Sequence, residues 1–152
     1  MRRTSILFLT LLALGGGFAS GAAAASPKPT LQLLKTHRYG SILIAGDGFM
    51  IYGFSIDKPG KDVCQAIVRP SCLELWPAVL APHKLVLGRG IKRSLVHSIR
   101  LRNGQRQLTY NGWPLYLYAQ DPGPRFTSFI NLLQFNGFWP AVNAAGKLVP
   151  AN

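Results

Sequence analysis

Apolar positions along this chain fall in short runs, each closed by Gly or Pro beside Asp or Asn, the punctuation of turns between strands. The first confident pair is Ser41 to Ala45 and Phe49 to Ile56 around Gly46-Asp47-Gly48. Asp-Gly there predicts a two-residue type I′ hairpin, with Ile44 opposite Ile51, Leu43 opposite Tyr52 and Ala45 opposite Met50. Both of its faces are apolar, so it needs cover on both sides. Downstream, Leu95 to Leu101, Arg106 to Tyr110 and Trp113 to Tyr118 read as a meander turning at Asn103-Gly104 and Asn111-Gly112. One face collects Ile99, Leu101, Leu108, Tyr110, Trp113, Leu115 and Leu117 as core. The other carries the rows Arg100–Gln107–Tyr116 and Arg102–Gln105–Tyr118.

Weaker signals fill the gaps. Leu31 to Leu34 suits a strand or a helical turn equally. Cys72 to Trp76 suits one helical turn, limited by Pro77. Pro82 to Gly90 and Gly123 to Gln134 read as loops, and Phe138 to Val142 as a last strand. About seven to nine short strands result, an all-β class packed as one small barrel or sandwich.

The pattern repeats. Asp47-Gly48-Phe49-Met50-Ile51-Tyr52-Gly53-Phe54-Ser55-Ile56-Asp57 returns at an offset of 64 as Asn111-Gly112-Trp113-Pro114-Leu115-Tyr116-Leu117-Tyr118-Ala119-Gln120-Asp121. Trp76-Pro77-Ala78-Val79 returns unchanged at Trp139-Pro140-Ala141-Val142, at an offset of 63. The chain is therefore a tandem. A single domain of two repeats is predicted over 39–150, the repeats at about 39–80 and 95–142, after a leader over 26–38.

Residues 1–25 look like a secretory signal peptide: Arg2 and Arg3, an apolar run from Ile6 to Leu14, and Ala23-Ala24-Ala25 as the cleavage pattern. The apolar run is short of the ~20 residues a membrane-spanning helix needs. Export to the periplasm or the exterior follows, with cleavage near Ala25. Two of the 17 Lys and Arg residues fall in that segment, and the 15 remaining against five acids leave +10. Such a balance attracts anionic partners or keeps a secreted protein soluble. The stretch between Glu74 and Asp121 holds seven of these cations and no acid. In an exported chain, Cys64 and Cys72 predict one local disulfide.

Candidate chemistry is sparse. Asp57 and Asp121 suit either paired polar sites for a cation or sugar, or side chains capping the turns they begin. Trp76 and Trp139 suit core plugs closing each unit. Glu74 is the only Glu, and His37, His83 and His97 lack metal-ligand spacing. His97 falls on the core-facing side of its strand. No nucleophile elbow, haem-attachment motif or phosphate-cradling glycine loop occurs. The expectation is a non-enzymatic protein without metal or cofactor.

Tyr-x-aromatic-x-x-Asp occurs twice, as Tyr52, Phe54, Asp57 and as Tyr116, Tyr118, Asp121. With Gln107-Leu108-Thr109-Tyr110-Asn111-Gly112-Trp113-Pro114 and the Cys…Cys…Trp76-Pro77 order, the chain resembles the bacterial secreted repeat of unknown function family. That family is also described as predicted lipoproteins with this motif. The likeness runs from about Tyr39 to Val142 and implies an exported envelope protein, with no established activity to carry over. No Cys precedes Cys64, so a lipid anchor is not inherited. Seven residues separate the cysteines, more than the family's usual tight pair.

The functional expectation is an exported binding or structural module. Its predicted face, Arg100, Arg102, Gln107, Tyr116 and Tyr118, would meet an anionic envelope polymer or envelope protein. Peripheral membrane association fits as well, and nucleic acid does not. The alternative is an accessory protein holding a metal or small redox cofactor between the repeats.

Overall fold

The computed structural model describes residues 27–149, and the expected signal segment lies outside them. Within them the fold is all-β. Nine short strands form four small antiparallel sheets, without a closed barrel.

Strand β1 (Leu31–Thr36) pairs antiparallel with β2 (Gly40–Ala45). This settles the ambiguity at Leu31 to Leu34, and it carries a stretch expected within the leader into the core, where Leu31 is fully buried. The meander forms as expected, from β3 (Val96–Arg100), β4 (Arg106–Tyr110) and β5 (Trp113–Pro114). Cys72–Leu75 makes the single helical turn α1, which ends at Trp76 before Pro77. The stretch read as a loop up to Gln134 instead ends in β6 (Leu132–Gln134), paired with β7 (Gly137–Trp139). Pro140 interrupts the expected last strand, because it has no N–H for the ladder. The chain continues as β8 (Ala141–Val142), paired with β9 (Leu148–Val149).

Turn chemistry corrects the register of two hairpins. Ala45 N–H donates to Phe49 C=O at 2.8 Å, so Gly46-Asp47-Gly48 is a three-residue loop. Leu101 N–H likewise donates to Gln105 C=O at 2.8 Å around Arg102-Asn103-Gly104. In both, the final glycine alone has positive φ, 95° at Gly48 and 85° at Gly104. The residue before it uses its side chain to accept an N–H two positions on: Asp47 from Phe49 at 3.2 Å, Asn103 from Gln105 at 3.0 Å. That is the three-residue loop with a glycine bulge. Of the three expected turns only Asn111-Gly112 has positive φ at both residues, 51° and 84°, as a two-residue type I′ turn requires.

The slip changes which residues face each other. Ile44 pairs with Met50, and Ile51 N–H donates to Leu43 C=O, replacing the predicted Ile44–Ile51 and Leu43–Tyr52 pairs. Ile99 lies opposite Gln107, and Arg100 opposite Arg106. His97 turns outward and is exposed, its Nε2 3.0 Å from Ser94 O.

The expected two-sided cover is present as two cores. Alternate residues of the same segments feed them: Ile42, Ile44, Met50, Tyr52 and Tyr116 enter an aromatic core, while Leu43, Ile51, Leu108 and Leu115 enter an aliphatic one. Leu101 is also buried, whereas Ile99, Trp113 and Leu117 are only half-buried.

Candidate functional site

The two copies of the tyrosine motif meet back to back. Tyr52 and Tyr116 exchange both backbone hydrogen bonds, each 2.9 Å, across a local pseudo-twofold axis. The Trp-Pro-Ala-Val strands then cross over. Gly53 N–H donates to Pro140 C=O at 3.0 Å, and its equivalent Leu117 N–H donates to Pro77 C=O at 2.8 Å. Each unit's tryptophan strand therefore completes the other unit. This corrects the expectation that Trp76 and Trp139 close their own units. A strand edge left open by one copy is thus filled by the other.

The side chains exchange in the same way. Tyr116 Oη donates to Asp57 Oδ2 at 2.7 Å, and Tyr52 Oη donates to both oxygens of Asp121 at 3.1 and 3.2 Å. The leading tyrosine of each motif thus binds the aspartate of the other copy. Phe54 stacks on Trp139 at 4.0 Å, and Tyr118 on Trp76 at 4.2 Å. The indoles stack on each other at 3.9 Å, only 1° from parallel. Four rings in sequence, Phe54, Trp139, Trp76 and Tyr118, fill the space between the units. The alternative reading placed a metal or cofactor there, and packed rings occupy that space.

One residue that the sequence gave no reason to select serves both indoles. Trp76 Nε1 donates to Gln134 Oε1 at 2.7 Å, and Trp139 Nε1 donates to the Gln134 carbonyl at 3.3 Å. Gln134 lies at the end of β6, in the segment read as a loop. The Leu132, Leu133 and Gln134 run before Asn136-Gly137 was the one available hairpin signal.

The carboxylates do not cap their own turns in the way the turn reading anticipated. Asp57 Oδ1 accepts Val63 N–H at 2.7 Å, six residues on, while Oδ2 takes the tyrosine. Burial pushes the Asp57 carboxyl up to about 7, against the pull of those two hydrogen bonds. Burial also lifts Asp121 to about 6, opposed by the Tyr52 hydrogen bond. Burial first, then the charge of the facing carboxylates, pushes Tyr52 and Tyr116 well above the ordinary phenol range, so both stay hydrogen-bond donors. Asp62 is also buried, at 3% exposure. Its Oδ1 accepts Gln65 N–H at 2.9 Å, and its Oδ2 has no hydrogen-bond partner among the described residues. Burial raises its carboxyl as well.

Residues 98–143 match the family described as a secreted repeat of unknown function. Over that stretch the chain is similar to the repeat. No curated protein and no solved structure matches it. The matched stretch of the secreted repeat spans the second tyrosine motif and the second Trp-Pro-Ala-Val, the elements that pair across the pseudo-twofold axis. The resemblance first seen in the motifs thus reaches the segments that hold the two units together, and it places the chain among exported proteins.

The face predicted from the meander does not assemble. Arg100 and Arg102 are exposed, but Gln107, Tyr116 and Tyr118 are buried. Gln107 donates from Nε2 to Leu115 C=O at 3.0 Å inside the fold. The register slip turns it away from Arg100, and the tyrosines serve the inter-unit stack. The predicted Cys64–Cys72 disulfide is in place, with Cα atoms 5.4 Å apart, and both cysteines are fully buried in the aromatic core.

Proposed function

We propose that this exported protein is a non-catalytic binding module whose cationic surface holds an anionic envelope polymer or the headgroups of an anionic membrane. One observation carries this reading. All 15 Lys and Arg residues within 27–149 are exposed, whereas only Asp47 and Glu74 of the five acids are. Asp57, Asp62 and Asp121 turn inward to serve the fold. Because Asp57 and Asp121 titrate near 7 and 6, part of their formal negative charge is absent near neutrality. The outer surface is then more cationic than the composition states, and a surface excess of one sign steers oppositely charged partners.

The test is co-sedimentation of the mature chain with phosphatidylglycerol vesicles and with phosphatidylcholine vesicles, between about 0.05 and about 0.5 M salt. Binding to the anionic vesicles alone, falling steeply with salt, supports the reading. Equal binding to both vesicle types, or binding unchanged by salt, overturns it.

A further inference from the structure

Three features remained after the tyrosine motif was accounted for. Leu133 and Phe138 on the β6–β7 hairpin are exposed apolar residues, as is Ile56 beside it, but nothing in the structure shows what covers them. Asp62, with its unpartnered oxygen, lies against the Asp57–Tyr116 lock and belongs to it. The third is a recess of about 320 Å³ between residues 81–85 and the β3–β4 pair. Its floor is apolar, formed by Val96 and Leu108 of the aliphatic core, with Leu85 packed beside them. Its polar groups are Arg93, His97, Ser98 and Arg106, and no acid lines it.

We propose that this recess binds a phosphate group, carried free or as the headgroup of a small phosphorylated amphiphile. The proposal rests on the anion-binding reading of the surface and gives it a specific site. The volume falls at the small end of ligand pockets. Arg106 is held in advance: Nε donates to Ser98 Oγ at 2.9 Å and Nη2 to Ser98 O at 3.3 Å. A guanidinium has five N–H donors, so the rest of this fixed fork stays available for a ligand. Arg93, in the 3₁₀ turn leading into β3, makes no side-chain hydrogen bond with the described residues. Two permanent positive charges over an apolar floor suit a doubly charged phosphate ester better than a singly charged carboxylate, and guanidinium forks match phosphate oxygens. A neighbouring recess of about 500 Å³ shares Ala81, Pro82, Ser98 and Arg106, and extends the groove past His83. An attached chain has a path along it.

The experiment is an NMR titration of the mature chain at low salt with inorganic phosphate, acetate and short-chain phosphatidic acid. Phosphate is expected to shift the resonances of Arg93, His97, Ser98 and Arg106 first, and acetate to bind more weakly. Arg93→Gln and Arg106→Gln should each weaken phosphate about tenfold or more, the scale of a lost charge-assisted contact. Arg93→Gln breaks no internal hydrogen bond, so its effect is free of any folding cost. Arg100→Gln, exposed outside the recess, should change affinity less than about twofold. Tighter binding of phosphatidic acid, with added shifts at Leu85 and Leu108, assigns a lipid headgroup. Equal binding assigns a free phosphate or small ester. Shifts spread evenly over all cationic residues, an Arg100→Gln effect matching Arg106→Gln, or acetate binding as tightly as phosphate would overturn the recess while leaving the cationic surface standing. Loss of salt-sensitive vesicle binding in the unmodified chain removes the surface reading itself.

Discussion

The two tyrosine–aspartate locks are related by sequence yet differ in environment, and that difference can be measured. Tyr116→Phe removes a 2.7 Å hydrogen bond from a carboxylate that is 5% exposed. Water has little access to Asp57 Oδ2 once the hydroxyl is gone. Hydrogen bonds to charged groups contribute about 1.5–3 kcal/mol, and the upper half of that range applies when the remaining partner stays buried. Tyr52→Phe removes bonds of 3.1 and 3.2 Å to a half-buried Asp121 that water can resolvate, a cost of about 1 kcal/mol or less. At roughly 3–5 °C per kcal/mol for a domain of this size, the first variant should melt about 7–15 °C lower and the second no more than about 3–5 °C lower. The cost of Tyr116→Phe should also depend on pH. The folded-state value of Asp57 is raised to about 7 from an ordinary 3.8. Between those values the folded chain holds a proton that the unfolded chain has released. The raised carboxyl therefore favours the fold below about pH 4, and that contribution is lost as pH rises through 7. Once Asp57 is ionised, the fold leans harder on the Tyr116 hydroxyl, so Tyr116→Phe should cost more at pH 8 than at pH 5. Urea unfolding of both variants at the two pH values, with the disulfide intact, is the assay. A cost equal at both pH values, or Tyr52→Phe costing as much as Tyr116→Phe, would refute this account. A double-mutant cycle with Asp57→Asn should show coupling of at least about 1 kcal/mol.

Two further outcomes follow from the packing. Gln134→Leu leaves the buried Trp76 indole N–H without its acceptor while sparing the carbonyl that takes Trp139, and should cost about 1–3 kcal/mol. A changed near-UV circular dichroism band is the check, and an unchanged midpoint of unfolding would remove Gln134 from its pivotal place. Replacing Cys64 and Cys72 together by Ala opens a loop with a sequence separation of 8, which should cost about 2.5 kcal/mol from chain entropy alone. Denaturant titration measures it, and a cost under about 1 kcal/mol would mean the closed loop adds little.

The all-β class, the tandem and the disulfide were legible before any coordinates, because each rests on local chemistry. Turn residues set strand ends, a fixed offset exposes a repeat, and two cysteines in an exported chain have few other uses. Register was less legible. Asp47-Gly48, Asn103-Gly104 and Asn111-Gly112 are nearly the same dipeptide, yet the first two close three-residue loops and only the third a two-residue turn. A dipeptide permits both, and the choice falls to whichever register buries the flanking strands. Tyr110 illustrates the selection: it is buried in the aliphatic core, donates its hydroxyl to Ala144 C=O at 3.0 Å and accepts Lys92 N–H at 3.1 Å. Because side chains alternate along a strand, the slip at Asn103-Gly104 set Ile99 instead of Arg100 opposite Gln107, and the burial of Gln107, Tyr116 and Tyr118 removed the rest of the predicted binding face.

What the sequence by itself determined was therefore everything set by neighbours in the chain: strands, turns, repeats, the local disulfide and the excess of cations. Tertiary structure alone decided the partners. Nothing within Tyr52-Gly53-Phe54-Ser55-Ile56-Asp57 says that its tyrosine will bind Asp121, 69 residues away, or that its phenylalanine will stack on Trp139. Two like sequences can pack side by side or exchange strands, and both options satisfy the same local pattern. Exchange is the arrangement in which each open strand edge meets a matching one, and each motif aspartate, Asp57 and Asp121, meets a hydroxyl from the opposite copy. Turning those acids inward is also what leaves the surface so one-sidedly basic, a property that composition could suggest but only the fold could distribute.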